Sequence, residues 1–171
     1  MGVIPQATQG FGVATDTSGN VFIGGRVTGG LDGNTLTGST DFFITKYDSS
    51  GVKQWTRQLG VSTKDTLGYG VSTDSSGNVF IGGYTTGGLD GNTLTGGTYD
   101  FFVTKYGSSG AKQWTKQLGA PGKNTYGSSV ATDSSGNVFI GGYTTGGLDG
   151  NTLTGKNDFF VTKYDSSGTK Q

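Results

Sequence analysis

Cysteine, histidine and glutamate are all missing from this chain of 171 residues. Without cysteine there is no disulfide and no thiolate chemistry, so the redox compartment is left open. Without histidine the commonest general base near neutral pH and the commonest zinc ligand are gone. The absence of glutamate, with the repeated aspartates placed in turns, leaves no glycosidase-type carboxylate pair. Proline is nearly absent at 2 residues, and no stretch has helical periodicity. Charge is sparse and balanced, 12 basic against 12 acidic residues, which gives no electrostatic pull toward nucleic acid, a membrane surface or a polyanion. No apolar run reaches membrane-spanning length, so membrane insertion is not expected. Met1-Gly2-Val3-Ile4-Pro5 is too short for a secretory signal. The signal of an exported parent is therefore expected to be absent from this sequence.

What is present is glycine, 35 residues of it, and a unit of about 58 residues that recurs three times. Val71–Gly96 and Val130–Gly155 differ only at Ser72 against Ala131, while Val13–Gly38 is more diverged and carries Arg26-Val27 where the others have Tyr-Thr. A repeat of this length is one supersecondary unit that cannot bury its apolar faces alone.

The middle copy reads as four short strands. Tyr69–Thr73 is the first, turned by Asp74-Ser-Ser-Gly-Asn78, where Gly77 supplies positive φ and Asp74 hydrogen-bonds its own backbone. In the second, Val79 onward to Thr86, apolar residues occupy both parities: Val79 and Ile81 on one face, Phe80 and Tyr84 on the other. Such a strand is buried on both sides. Asp100–Tyr106 and Lys112–Leu118 follow, joined by Gly107-Ser-Ser-Gly110. Four antiparallel strands with apolar residues on both faces are what a propeller blade requires, since each sheet packs between two neighbours. Between strands two and three, Leu89-Asp-Gly-Asn-Thr-Leu94 places an Asp-Gly turn between two leucines, repeated at Leu31–Leu36 and Leu148–Leu153. Three such loops are expected on one rim.

The run Asp-Ser-Ser-Gly-Asn-Val-Phe-Ile-Gly-Gly-Tyr-Thr, followed by Asp-Phe-Phe-Val-Thr-Lys-Tyr and then Lys-Gln-Trp-Thr, resembles the bacterial SBBP beta-propeller repeat family along essentially the whole chain. The resemblance implies parts of exported or surface-associated bacterial proteins and defines no catalytic or binding residue. The predicted fold is all-β: propeller blades made of three four-stranded antiparallel repeats, the last without its outer Trp strand, completed by oligomerisation or by further repeats. One repeat domain, 1–171, is expected, with blade 1 at about 1–59, blade 2 at about 60–118 and an incomplete blade 3 at about 119–171.

The ends carry an expectation about partners. Met1-Gly2-Val3-Ile4 aligns with Leu59-Gly60-Val61-Ser62, just past a fourth strand, and Gln171 precedes the position of Trp55 and Trp114. Closed propellers have roughly 4 to 8 blades, and three would leave two apolar faces, carrying Val21, Ile23, Phe160 and Tyr164, and one bare edge. Self-association is expected, as a six-bladed dimer or an open array, unless further repeats follow in a longer parent.

Candidate ligand-binding residues are the rim-loop oxygens of Asp32, Asn34, Asp90, Asn92, Asp149 and Asn151, and the indoles of Trp55 and Trp114. The loops suit a hairpin turn first and calcium or sugar contact second, since they lack the alternating acids and closing glutamate of an EF-hand. The tryptophans suit packing between blades first and stacking on sugar rings second. Asp16, Asp74 and Asp133, 58 and 59 residues apart, belong to turns. No catalytic residue, no metal site and no built-in cofactor are expected, calcium remaining compatible with the oxygen ligands. The function expected is a non-catalytic multivalent binding or structural module, with a protein or glycan ligand, located extracellularly, at the cell surface or in the periplasm. The alternative is a lectin-like glycan binder that uses the Asp-Gly-Asn rim loops with calcium assistance.

Overall fold

The computed structural model describes residues 6–171; Met1–Pro5, of which Met1–Ile4 are aligned above with residues just past a fourth strand, lie outside the described residues. Among the described residues there are eleven strands and no helix. The first sheet runs β1 (Thr8–Thr15), β2 (Val21–Val27), β3 (Asp41–Tyr47) and β4 (Lys53–Leu59) in spatial order. The second repeats it with β5 (Thr66–Thr73), β6 (Val79–Thr85), β7 (Asp100–Tyr106) and β8 (Lys112–Leu118). The third has β9 (Thr125–Thr132), β10 (Val138–Thr144) and β11 (Asp158–Tyr164), with β11 at its outer edge. Every pairing within the sheets is antiparallel. This is the all-β propeller-blade architecture that the alternation predicts.

β7 and β8 occupy the ranges read from the sequence, but β5 begins at Thr66 rather than at Tyr69. The reason is a β-bulge. Gly68 pairs with Gly83 and Gly70 with Gly82, so Tyr69 is an extra residue that breaks the period of two. Phe11 is bulged in the same way between Gly10 and Gly12. The glycine pairs follow from this: a methyl on Gly83 would collide with the Leu67 carbonyl of the bulged strand, and one on Gly82 would lie 2.5 Å from the Val130 side chain of the next sheet.

The sheets stack face to face in chain order. Their backbones come closest at the first strands, β1 against β5 and β5 against β9, and separate toward β4 and β8. At the closest point a Cβ on Gly70 would lie 2.5 Å from the Val130 amide nitrogen. This splaying outward is blade-like stacking and differs from the even spacing of a translational solenoid.

Each gap between sheets holds a core. Phe22, Phe42 and Ile44 meet Val79, Ile81, Phe102 and Tyr106 in the first gap. Phe80, Phe101 and Val103 meet Val138, Ile140, Phe160 and Tyr164 in the second. The Phe42 and Phe102 rings stack at 5.1 Å, and the Phe101 and Phe160 rings at 4.9 Å. Phe160 and Tyr164, expected on an open face, are therefore buried against the second sheet. Alternation sends neighbouring residues to opposite faces, so it is Phe159, 87% exposed, and Val161, 65% exposed, that face outward. On the far face of the first sheet Val21 and Ile23 are half-buried and Phe43 is buried, which leaves Val13 as the exposed apolar residue there.

Candidate functional site

The β2–β3, β6–β7 and β10–β11 connections lie at one end of the sheets, beside the paired ends Val27–Asp41, Thr85–Asp100 and Thr144–Asp158. The three Asp-Gly-Asn loops thus share this end. In each, the aspartate and the glycine both take positive φ, 54° at Asp90 and 81° at Gly91, and the amide of Asn92 closes the turn on the Leu89 carbonyl at 3.0 Å. Two successive left-handed residues are the type I′ geometry that Asp-Gly favours. No strands flank the turn, so the excursion is a tight loop and not an extended hairpin.

The polar atoms of these loops are directed inward. The Asp32 carboxylate accepts from Lys53 at 2.5 Å and from the Thr56 hydroxyl at 2.6 Å, and these two bonds hold its pKa below the ordinary value. Asp90 pairs with Lys112 and Asp149 with Lys170. Asn34 donates to the carbonyls of Leu31 (2.8 Å) and Thr56 (3.4 Å), and Asn92 to those of Leu89 (2.8 Å) and Thr115 (3.3 Å). Asn151 donates to the Leu148 carbonyl at 3.0 Å. Asp32, Asn34 and Trp55 are brought together with Lys53 and Arg57 around a shallow groove of about 590 Å³.

Both tryptophans reach into the next sheet. Trp55 Nε1 donates to the Ser108 carbonyl at 3.2 Å, and its ring packs beside Phe22 and Tyr106 and under the Arg57 guanidinium. Trp114 repeats this with the Ser166 carbonyl at 3.4 Å, Phe80 and Tyr164. The lysine opposite each tryptophan donates to the same carbonyl, Lys46 to Ser108 and Lys105 to Ser166. The Ser-Ser-Gly turn of one blade is thus a receptor for the preceding blade.

The Asp-x-Ser-Gly-Asn turns lie at the opposite end of the sheets. Asp74 Oδ1 accepts from the amides of Ser76 and Asn78, both at 3.0 Å, and Oδ2 from the Asn78 side chain at 2.7 Å. Asp133 does the same, and the Asn137 side-chain bond leads the hydrogen bonds that lower its pKa. Local turn closure uses both oxygens of each carboxylate.

One feature escaped the residue-by-residue reading: an unbroken row of aromatic rings across all three sheets. Phe11 stacks on Tyr69 at 5.1 Å, Tyr69 on Tyr84 at 5.8 Å, Tyr84 meets Tyr126 edge-on at 5.0 Å, and Tyr126 stacks on Tyr143 at 4.6 Å. Tyr99 closes on both Tyr84 and Tyr126. The bulges at Phe11 and Tyr69 aim two of these rings out of their sheets, and Tyr84, Tyr99, Tyr126 and Tyr143 lie near the rim-loop end. Phe11 (47%) and Tyr143 (39%) are the open ends of the row. Burial raises the pKa of Tyr84 and of Tyr126, and neighbouring phenols add to the effect. The signal available in the sequence was only that bulk aromatics sit beside glycines in the first strands.

Among the described residues no group of three aspartates gathers around a common point, and no buried side-chain nitrogen or oxygen lacks a hydrogen-bond partner. No helix among them is long and apolar enough to cross a membrane.

The chain is 29% identical over 173 aligned positions to the Regulatory protein FlaEY of Caulobacter vibrioides; the match covers 92% of this chain and 18% of that protein. The chain thus spans less than a fifth of the length of the curated relative. Residues 54–90 and 113–149 each match the SBBP beta-propeller repeat family, from a Trp strand through the bulged first strand and Asp turn to the rim loop of the next sheet. The chain thus carries two matches to the SBBP beta-propeller repeat, in register on three equivalent sheets.

Proposed function

We propose that this chain is a non-catalytic, multivalent binding and structural module of an exported or surface-associated bacterial protein, and that its binding face is the aromatic row Phe11–Tyr69–Tyr84–Tyr126–Tyr143. The row itself carries this reading. Mutually stacked tyrosines present rigid apolar area with polar tips at low entropic cost, a composition that serves recognition of glycans and peptides. The rim-loop aspartates and asparagines, in contrast, are occupied by the chain's own Lys53, Lys112, Lys170 and backbone carbonyls. Association with a second copy or with further repeats through the outward face of the third sheet belongs to the same reading. Phe159 and Val161 there repeat Phe101 and Val103, which the third sheet buries completely.

A glycan array probed with the chain, with and without calcium, tests the binding face. The expected result is binding that Phe11→Ser and Tyr143→Ala weaken and that chelation leaves unchanged. Binding that survives both substitutions but disappears with Asp90→Ala and with chelation would transfer the site to the rim loops and establish the lectin reading instead.

A further inference from the structure

The junction between the second and third sheets carries a tyrosine cluster that the junction between the first and second does not repeat. Tyr126 of β9 lies 5.0 Å from Tyr84 of β6 and 4.7 Å from Tyr99, the residue just before β7. Tyr84 and Tyr99 are themselves 5.1 Å apart. The backbone of the two junctions is the same: the Thr125 amide donates to the Tyr99 carbonyl at 2.9 Å, and the Thr66 amide to the Thr40 carbonyl at 2.8 Å. The side chains are not. At the first junction the places of Tyr84, Tyr99 and Tyr126 are taken by Arg26, Thr40 and Leu67. The same sheet-to-sheet backbone bond forms without the rings, so blade stacking does not explain their presence.

The geometry singles out one pair. Tyr84 meets the other two rings edge-on, at 82° and 75°, whereas the planes of Tyr99 and Tyr126 are only 35° apart. Burial first, and the Tyr99 phenol next, raise the pKa of Tyr126, so Tyr126 stays a neutral phenol at physiological pH with the Tyr99 hydroxyl as its nearest acting neighbour. The ortho carbons flank the hydroxyl-bearing carbon, so neighbouring hydroxyls bring ortho carbons together as well. Both residues are half-buried, and the segments that carry them are fixed to each other: the Gly97 amide donates to the Lys123 carbonyl and the Thr98 amide to Asn124 Oδ1, each at 2.8 Å. With no cysteine in the chain, a disulfide cannot join one sheet to the next. A carbon–carbon bond between two tyrosines needs no cysteine.

We propose that Tyr99 and Tyr126 are an oxidative modification site, where a one-electron oxidant of the haem-peroxidase type, consuming hydrogen peroxide, forms a dityrosine link that staples the second sheet to the third. Each phenol gives up one electron and its hydroxyl proton. The two radicals join through a new bond between ortho ring carbons, and the hydrogens on those carbons move to the oxygens and restore both phenols. The two electrons and two protons released reduce one hydrogen peroxide to two waters. Among the described residues Tyr47, Tyr106 and Tyr164 contact no other tyrosine ring, Tyr106 and Tyr164 meeting tryptophans instead, so the chain contains its own controls. The link rests on the spacing of two rings and stands whatever the aromatic row binds.

The full chain is treated at high dilution with hydrogen peroxide and a haem peroxidase and, in a parallel sample, with photogenerated tris(bipyridyl)ruthenium(III), a small outer-sphere oxidant. The expected product is a single chain lighter by two hydrogen atoms, with blue dityrosine fluorescence and a link that tandem mass spectrometry places between Tyr99 and Tyr126. Tyr99→Phe and Tyr126→Phe keep the rings and their packing, and each should abolish this product, while Tyr47→Phe leaves it unchanged. The linked chain should melt about 5 °C or more above Tyr99→Phe treated in the same way, because a cross-link restricts the unfolded chain. A link that joins Tyr126 to Tyr84 or Tyr143 instead overturns the proposal, as does a product that survives both substitutions or forms equally well in the urea-unfolded chain. Absence of any intramolecular link with both oxidants overturns it as well.

Discussion

Phe101 and Phe159 are the same residue at the same repeat position, and only the presence of a following sheet distinguishes them. Phe101 is fully buried and stacks on Phe160 at 4.9 Å, whereas Phe159 is 87% exposed. Truncation to alanine at Phe101 removes the transfer free energy of a buried ring, about 2–3 kcal/mol, and leaves a cavity between two sheets that cannot close independently. The expected loss is about 3–5 kcal/mol, a large share of the roughly 5–15 kcal/mol that a folded domain commands. In a chain of this size that corresponds to a fall in melting temperature of about 6–20 °C. Phe159→Ala should cost under about 0.5 kcal/mol, since an exposed ring loses little. The comparison is made by urea and thermal melts at concentrations where light scattering reports a monomer of 17.5 kDa. Because the damage at Phe101 falls on one interface, the third sheet should lose its protection before the other two. A loss of 3 kcal/mol or more for Phe159→Ala in the monomeric sample would falsify the assignment of the outward face. At concentrations where the chain associates, the same substitution should instead shift the monomer–dimer balance toward monomer.

Two further outcomes follow from the electrostatics of the turns and the buried phenols. Asp16, Asp32, Asp133, Asp158 and Asp165 are held below their ordinary pKa, Asp32 by Lys53 and Asp133 by Asn137, so their contribution is present above about pH 4 and disappears as the pH falls through the lowered values. Burial raises Tyr84, Tyr106, Tyr126 and Tyr164, the last to about 12, so theirs is complete below about pH 10 and disappears above it. Urea midpoints should therefore form a plateau between about pH 5 and 9 that falls on both sides; a slope centred near neutrality contradicts the assignment. Millimolar calcium should move the melting temperature by less than about 1 °C, because a metal must first displace Lys53 and Thr56 from Asp32. A rise of several degrees that Asp90→Asn abolishes would show that the rim loops bind it.

The blades were legible in the sequence because their causes are local. Alternation on both parities marks β6 and β7, glycines with positive φ mark the turns, and the tripled spacing marks the sheets. Two things were misread, and both turn on a single residue. The bulge at Tyr69 hides the first three residues of β5, since an extra residue inverts the alternation behind it. The open face of the third sheet was assigned to Phe160 and Tyr164 instead of Phe159 and Val161, because adjacent phenylalanines give no sign of which one meets the neighbour. The aromatic row was not legible at all: its members come from three sheets, and only the stacking of the blades sets Tyr84 against Tyr126.

β6 and β10 share the sequence Val-Phe-Ile-Gly-Gly-Tyr-Thr, and each pairs with its Asp-Phe-Phe-Val-Thr-Lys-Tyr partner in the same register. During folding, then, nothing in the strands themselves tells β6 to choose β7 over β11. The choice is left to chain connectivity. The loop that closes the wrong pair is roughly five times longer, a little over two doublings, which disfavours it by only about 1.4 kcal/mol, or about tenfold. Blades this similar should therefore sample exchanged strands on the way to the native arrangement. The residues that differ between copies, Arg26-Val27 against Tyr84-Thr85 and Tyr99 against Asn157, act in the chain as address labels, telling otherwise interchangeable strands which sheet is theirs.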